Sequence, residues 1–98
     1  MSKFNDLITG DQPVLVDFHA TWCGPCKTMA PVLEALKKEI GSKARIIKVD
    51  IDRNPAVAQK YNVKGVPTFI LFKSGNQVWR QSGAVPKTML SDAIAGVV

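Results

Sequence analysis

The chain has two cysteines, Cys23 and Cys26, separated by only two residues. They follow an apolar run over 14–18 and precede a segment with helical periodicity. A disulfide between such close cysteines cannot join distant parts of a fold, and the stabilisation expected from a disulfide grows with the loop that it closes. A reactive pair or a metal site is therefore the better interpretation. Two thiols at the start of a helix can close a small disulfide ring and open it again.

The predicted helix makes the two thiols chemically unequal. A free thiol has a pKa of about 8.5, whereas the unpaired N–H groups at a helix N-terminus favour a thiolate. We therefore expect Cys23 to attack a target disulfide and Cys26 to resolve the mixed disulfide. Cys26 lies one turn further along, and we expect it to be the more buried sulfur.

Cys26 must lose a proton before it can react, and Asp17 is a candidate base. Asp17 interrupts the apolar run before the pair. Burial among apolar neighbours raises the pKa of a carboxyl, so that it can exchange protons near neutral pH. The alternative is a structural aspartate at a strand end, whose carboxylate accepts hydrogen bonds from backbone N–H groups. The sequence leaves both interpretations open.

Metal binding is another use of a C-x-x-C pair. Zinc usually takes four ligands, and the chain adds only one histidine to the two sulfurs, so a zinc site needs a second molecule. A c-type haem needs a histidine where Lys27 stands. A two-coordinate Cu(I) site remains open, because soft thiolates suit that ion. We expect neither a metal nor a bound cofactor.

The segments around the pair predict alternating helices and strands. The order is helix (within 1–13), strand (14–19), helix (24–40), strand (45–50), short helix (54–61), strand (68–73), strand (77–82) and helix (from 86). The strand–helix–strand unit makes the first two strands parallel, and Ser74-Gly75-Asn76 predicts a hairpin turn. We expect an α/β fold with a mixed sheet and helices on both faces. The last helix is expected to bury Met89, Leu90, Ala93, Ile94 and Val97.

Composition indicates one domain over 1–98. The chain is 46% hydrophobic, which suits a single core. No apolar run approaches the roughly 20 residues that span a bilayer, and the first residues carry no apolar signal segment. The net charge of +5 comes from scattered basic residues. We therefore expect a cytoplasmic monomer that has neither a nucleic-acid partner nor a membrane partner.

Four segments, in this order and spacing, resemble the thioredoxin family: Val16-Asp17-Phe18, Trp22-Cys23-Gly24-Pro25-Cys26-Lys27, Val66-Pro67-Thr68 and Gly83-Ala84. The resemblance covers about residues 14–98. It implies the thioredoxin fold and a general protein-disulfide reductase that donates electrons to reductive enzymes. It makes Cys23 and Cys26 the redox pair, Asp17 the acid that deprotonates Cys26, and Lys48 a neighbour that modulates Asp17.

The resemblance also implies a surface for targets. Pro67 is then a cis-proline opposite the disulfide, and the Val66 backbone pairs with an extended target segment. The surrounding platform consists of Trp22, Gly24, Pro25, Val66, Gly83 and Ala84. Implied partners are a thioredoxin reductase and disulfide-containing substrates such as ribonucleotide, methionine-sulfoxide and peroxide reductases. The implied roles are electron transport and cell redox homeostasis.

Two positions depart from the family pattern. His19 stands where the family commonly carries tryptophan, and it is either packed and neutral or a titrating group that tunes the Cys23 thiolate. The family usually begins with a strand, but the residues before Val14 predict a helix. We therefore expect a four-stranded sheet with 45–50 at its edge, where Arg45, Lys48 and Asp50 help to discourage edge-to-edge pairing.

Three other functions fit parts of the pattern. An oxidant or isomerase uses the same exchange chemistry in the opposite direction, and the reduction potential distinguishes it from a reductase. A non-catalytic binding subunit needs the fold but not the thiols. A Cu(I) carrier needs the thiols but not the exchange.

Overall fold

The computed structural model describes residues 2–98, and Met1 lies outside the described part. The helices are α1 (Ser2–Ile8), α2 (Gly24–Ile40), α3 (Pro55–Lys60) and α4 (Lys87–Ala95), and a 3-10 turn, Gly41–Lys43, follows α2. The strands are β1 (Val14–His19), β2 (Arg45–Asp50), β3 (Thr68–Lys73) and β4 (Asn76–Ser82). This order confirms the predicted succession of elements.

The four strands form one mixed sheet in the order β2-β1-β3-β4. β1 and β2 are parallel and joined through α2, whereas β1–β3 and β3–β4 are antiparallel. Asp17 is paired with Lys48 on β2, and Phe18 with Thr68 on β3. The C-terminal ends of β1 and β2 and the start of β3 therefore meet at one edge of the sheet.

Helices cover both faces of this sheet, and each central strand contributes to both cores. Val14, Val16 and Phe18 of β1 pack beneath α1 and α3, together with Ile70 and Phe72 of β3. Leu15 faces the opposite side, where Phe69 and Leu71 pack against α2 and α4. Because side chains alternate along a strand, Asp17 and His19 share the Leu15 face beneath α2.

The N-terminal segment is a helix, as predicted, and the described residues contain no strand before Val14. Phe4 and Ile8 of α1 are buried on the sheet, and Phe4 contacts the Phe72 ring edge-on with centroids 6.0 Å apart. β2 is consequently an edge strand, with Arg45 and Lys48 exposed. Among residues 2–98, no helix has both the length and the apolar character to cross a bilayer.

The prediction of burial is wrong for one residue of α4. Met89 is 40% exposed, whereas Leu90 and Ile94 are buried. The α4 helix contacts the sheet along the line through Leu90 and Ile94, which lie four residues apart on one side of the helix. Met89 lies about 100° around the helix from Leu90 and therefore falls at the margin of the contact.

The β3–β4 turn holds the end of α1 against the sheet. Ser74 and Gly75 have φ values of 52° and 83°, as a two-residue hairpin turn requires. The Gly75 N–H donates to the Ile8 carbonyl at 2.9 Å. A Cβ on Gly75 would lie 3.3 Å from Cγ2 of Thr9. The turn therefore needs glycine both for its backbone angle and for its close approach to α1.

We predict that Gly75→Ala lowers the free energy of unfolding by about 1–2 kcal/mol, because an L-residue is strained at this φ. Urea unfolding followed by circular dichroism measures the change. Gly10→Ala is the matched control: Gly10 has open space around its Cβ position and a φ outside the left-handed region. Equal destabilisation by both changes would contradict the role assigned to the turn.

Candidate active site

Cys23 is the N-cap residue of α2. Its backbone is extended (φ −87°, ψ 110°), and its Sγ accepts a hydrogen bond from the Cys26 N–H at 3.1 Å. Pro25 lies in the first turn, where the missing N–H leaves no bond unmade. The Cys23 sulfur therefore lies at the positive end of a 17-residue helix, the environment that favours a thiolate when the pair is reduced.

The two cysteines form a disulfide with their Cα atoms 5.3 Å apart. This separation lies within the usual range for disulfides. As whole residues, Cys23 is 3% exposed and Cys26 is half-buried, and the expectation that Cys26 carries the more buried sulfur stays a prediction. Cys26 borders a cavity that opens between α2 and the sheet.

That cavity has a volume of about 350 Å³ and is called the Cys26 cavity below. It brings together residues from β1, β2 and α2. Its lining consists of Asp17, His19, Ala20, Thr21, Cys26, Lys27, Ala30 and Lys48. Cys23 is not part of this lining. The structure thus places the candidate base Asp17 on the same cavity as Cys26.

Asp17 is buried, and its Oδ1 has no hydrogen-bond partner among the described residues. The alternative of a structural aspartate whose carboxylate is satisfied by backbone N–H groups therefore does not account for Oδ1. Burial raises the pKa of the Asp17 carboxyl above its usual value. Positive charge on His19 and Lys48 opposes this rise because it favours the carboxylate. Burial thus makes Asp17 a weaker acid than a solvent-exposed carboxyl, on the cavity that it shares with Cys26.

His19 and Lys48 reach the cavity from neighbouring strands. Lys48 is exposed and is the register partner of Asp17, so its position on the edge strand explains its effect on that carboxyl. His19 is half-buried and lines the cavity two residues beyond Asp17. The geometry associates His19 with Cys26 and Asp17 rather than with Cys23. Its predicted influence on the Cys23 thiolate stays a prediction.

The predicted target platform lies at the edge of the sheet where β1 ends and β3 begins. The Val66–Pro67 peptide bond is cis, as the family resemblance implied. The Pro67 carbonyl accepts from the Gly83 N–H at 2.8 Å, which fixes the segment after β4 beside it. No backbone hydrogen bond of Val66 is formed within residues 2–98. Trp22, Gly24, Pro25 and Ala84 are exposed, and Val66 and Gly83 are half-exposed.

Asp52 is a site residue that the sequence analysis missed. Its Oδ2 accepts a hydrogen bond from the Trp22 indole N–H at 2.9 Å. Its own N–H donates to Asp50 Oδ1 at 2.9 Å, which orients the loop after β2. Trp22 is 67% exposed, so this bond is what restrains the indole beside Cys23. Because parallel strands end at the same edge, a polar residue just after β2 was a detectable signal.

The comparisons with known proteins agree with this geometry. The Thioredoxin family model matches residues 1–96. The chain is 44% identical over 89 residues to Thioredoxin 1 of Nostoc sp., covering 91% of this chain and 83% of that protein. The chain belongs to the thioredoxin family.

Two further comparisons agree with this family assignment. The chain is similar to the X-ray structure of Fasciola hepatica thioredoxin, with a TM-score of 0.90, 41% identity, and coverage of 99% of this chain and 93% of that one. It is also 45% identical over 97 residues to the Bifunctional thioredoxin reductase/thioredoxin of Mycobacterium leprae, covering 99% of this chain and 21% of that protein. The family membership makes this chain a thiol–disulfide oxidoreductase: a thioredoxin-type disulfide reductase with a redox-active cysteine pair.

We predict that Asp17→Asn raises the free energy of unfolding of the oxidised protein at pH 7 by about 1–3 kcal/mol, because it removes a buried charge whose Oδ1 lacks a partner. The folded pKa is raised, so the contribution of Asp17 to stability is complete below the unfolded value of 3.8. It is lost as the pH rises through the folded pKa. Urea titrations from pH 4 to 8 should show the two proteins converging at the acid end.

Asp11→Asn is the control for this prediction, because Asp11 is exposed and should change stability little at any pH. A gain from Asp17→Asn that is independent of pH would show that ionisation of Asp17 is not its source.

We also predict that Asp52→Ala loosens the Trp22 indole, because a hydrogen bond of this kind contributes about 1 kcal/mol. Time-resolved fluorescence anisotropy in a Trp79→Phe background should show faster local motion of Trp22. Asp52→Asn, whose amide oxygen can still accept the indole N–H, should behave like the unchanged protein. Identical anisotropy decays for all three proteins would remove this role of Asp52.

Proposed function

We propose that Cys23 is the attacking nucleophile and Cys26 the resolving thiol of a general protein-disulfide reductase. The observation that carries this assignment is the position of Cys23 as the cap of α2, with its sulfur accepting the Cys26 N–H and already bonded to Cys26. Only Cys23 has the helix terminus to stabilise its thiolate, and only Cys26 shares a cavity with a carboxyl.

The reaction has two exchange steps. The Cys23 thiolate attacks one sulfur of the target disulfide; that S–S bond breaks, the first target thiolate leaves, and a mixed disulfide forms. Cys26 then loses its proton and attacks Cys23 Sγ. The bond between Cys23 and the target breaks, the second target thiolate leaves, and the Cys23–Cys26 disulfide forms. The target gains two electrons and the cysteine pair loses two, so the exchange needs no bound cofactor.

Asp17 is the proposed acceptor of the Cys26 proton, and Lys48 modulates it. Burial supports this assignment, because it makes the carboxyl basic enough to take a proton from a nearby thiol. Lys48 acts through its charge from the paired position on β2.

The platform around the disulfide is the proposed binding surface for targets. The free Val66 backbone supports pairing with an extended target segment, which adds a strand-like contact beside Cys23. Apolar contact then comes from Trp22 and Pro25, which are exposed next to the pair. Gly24, Gly83 and Ala84 complete the surface, because the lack of a large side chain at these positions leaves room for a target backbone. The cis bond before the buried Pro67 sets the course of the chain beside them.

A thioredoxin reductase is the proposed electron source. The joining of both activities in one Mycobacterium leprae protein, by its name, supports a partnership of this kind. Reductive enzymes that form a disulfide in turnover, such as ribonucleotide, methionine-sulfoxide and peroxide reductases, are the proposed acceptors. A cytoplasmic location and a monomeric state stay predictions.

We predict that the protein, supplied with NADPH and a thioredoxin reductase, reduces insulin disulfides and that Cys23→Ser lowers the rate by at least about 1,000-fold, because the nucleophile is lost. Cys26→Ser should instead accumulate a mixed disulfide at Cys23, which mass spectrometry detects. NADPH consumption at 340 nm measures turnover.

A matched control separates chemistry from folding. Ser42→Ala changes an exposed side chain away from the platform and should leave the insulin rate within about twofold of the unchanged protein. If Cys23→Ser kept most of the activity, or if the mixed disulfide formed on Cys26, the assigned order of the thiols would be wrong.

A further inference from the structure

His19 lines the Cys26 cavity, and the exchange chemistry described above does not use this residue. It is the single histidine of the chain and the last residue of β1. Its side chain lines the cavity with Asp17, Cys26 and Lys48. Asp17 and His19 lie two residues apart on β1, so their side chains point to the same face of the sheet.

We infer that His19 relays the proton of Asp17 to solvent during the resolving step. In this role His19 acts through Asp17 and not on the reacting sulfurs, so it is a positioning residue rather than a catalytic one. This inference rests on the proposed function, because it presupposes that Asp17 accepts the Cys26 proton.

Burial creates the need for such a relay. Asp17 is 4% exposed, and its Oδ1 has no hydrogen-bond partner among residues 2–98. A proton that this carboxyl takes from Cys26 must leave before Asp17 can act again. His19 is half-buried and therefore reaches from the Asp17 side of the cavity towards solvent.

The other charged groups that face the cavity cannot make this transfer. Lys27 on α2 and Lys48 on β2 are ammonium groups, which donate hydrogen bonds but have no acceptor site. Asp50, the register partner of His19, does not line the cavity and is engaged elsewhere: its Oδ1 accepts the Asp52 N–H at 2.9 Å and its Oδ2 lies 4.0 Å from Arg53 Nε. An imidazole, by contrast, can accept a proton on one nitrogen and release it from the other near neutral pH.

The relay leaves the electron balance of the exchange unchanged. The Cys26 S–H gives its proton to Asp17, and the new thiolate attacks Cys23 Sγ while the target thiolate leaves. The proton then passes from Asp17 to one nitrogen of His19, and the other nitrogen releases a proton to solvent or to the departing thiolate. Positive charge on the imidazole in this transient state also favours the return of Asp17 to its carboxylate form.

The test separates the two steps of the exchange. The reduced protein is mixed with hydroxyethyl disulfide at concentrations high enough that resolution limits the formation of oxidised protein. Acid quenching and mass spectrometry then give the populations of reduced, mixed-disulfide and oxidised protein over time. We expect His19→Gln, which keeps a hydrogen-bonding side chain but does not titrate, to slow resolution about tenfold at pH 7, less than loss of a direct general base costs.

Chemical rescue distinguishes a proton relay from a packing role. His19→Ala should show the same slow resolution, and millimolar imidazole in the buffer should restore most of the rate. Imidazole should not accelerate the unchanged protein. The pH dependence of resolution should also lose one ionisation in His19→Gln, whereas a merely structural residue leaves the profile's shape unchanged.

Either of two results would overturn the relay: resolution in His19→Gln within about twofold of the unchanged protein, or a slow His19→Ala variant that imidazole does not restore. The Cys26→Ser variant keeps this failure distinct from failure of the proposed function. If that variant traps the mixed disulfide at Cys23 while the His19 changes have no effect, only the relay is wrong. If no trapped species forms on Cys23, the thiol assignment itself is wrong.

Discussion

The parallel pairing of β1 with β2 is the constraint on which the active site depends. It requires a crossover through α2, and the crossover brings the N-terminus of α2 to the edge where both strands end. Cys23 caps that helix because the chain must turn from β1 into α2 there. The same pairing places Lys48 beside Asp17, and it places Asp52, just after β2, within reach of the Trp22 indole. One topological choice thus brings together the redox-active cysteine pair, the buried carboxyl of Asp17 and the Trp22 indole.

Burial of Asp17 couples stability to chemistry. A carboxyl between Leu15 and His19, on the face covered by α2, lacks a partner for Oδ1 and weakens the folded state when it ionises. The same burial raises the pKa of the carboxyl, which is the property that the proposed proton transfer from Cys26 requires. The sheet can carry this cost because the other residues of β1 up to Phe18, and Phe69, Ile70, Leu71 and Phe72 of β3, are buried. The active site is therefore less stable than an apolar residue at the same position would make it.

Much of the fold was predictable from local patterns. The continuous apolar runs over 14–18 and 68–72, the helical stripe from Met29 to Ile40 and the glycine turn at Gly75 are local patterns, and each strand or helix formed where its pattern indicated. The helical N-terminus was predictable for the same reason, since Phe4 and Ile8 recur at helical spacing. The exposure of Met89 was not, because the line of contact along α4 depends on how that helix lies against the sheet.

The site residues likewise divide into those that local patterns predicted and those that depend on how the elements pack. The spacing of Cys23 and Cys26 predicted their pairing, and the strand alternation of Asp17 and His19 predicted their shared face. The partial exposure of Cys26 was not predictable from the sequence, because the cavity that Cys26 lines is formed jointly by α2, β1 and β2. The place of Asp52 just after β2 was a signal, but the sequence does not show which partner its carboxylate meets in the other loop. Residues separated by about 30 positions meet there only after the sheet has formed.

Two effects on Asp17 oppose each other at the Cys26 cavity. Burial raises the pKa of the carboxyl and so favours its protonated form, whereas positive charge on His19 and Lys48 favours the carboxylate. Lys48 lies close because the parallel pairing of β1 with β2 sets it opposite Asp17, and His19 lies close because side chains two residues apart on a strand share a face. A histidine at position 19, where the family commonly carries tryptophan, therefore adds a second basic side chain on the face of the sheet that buries the carboxyl.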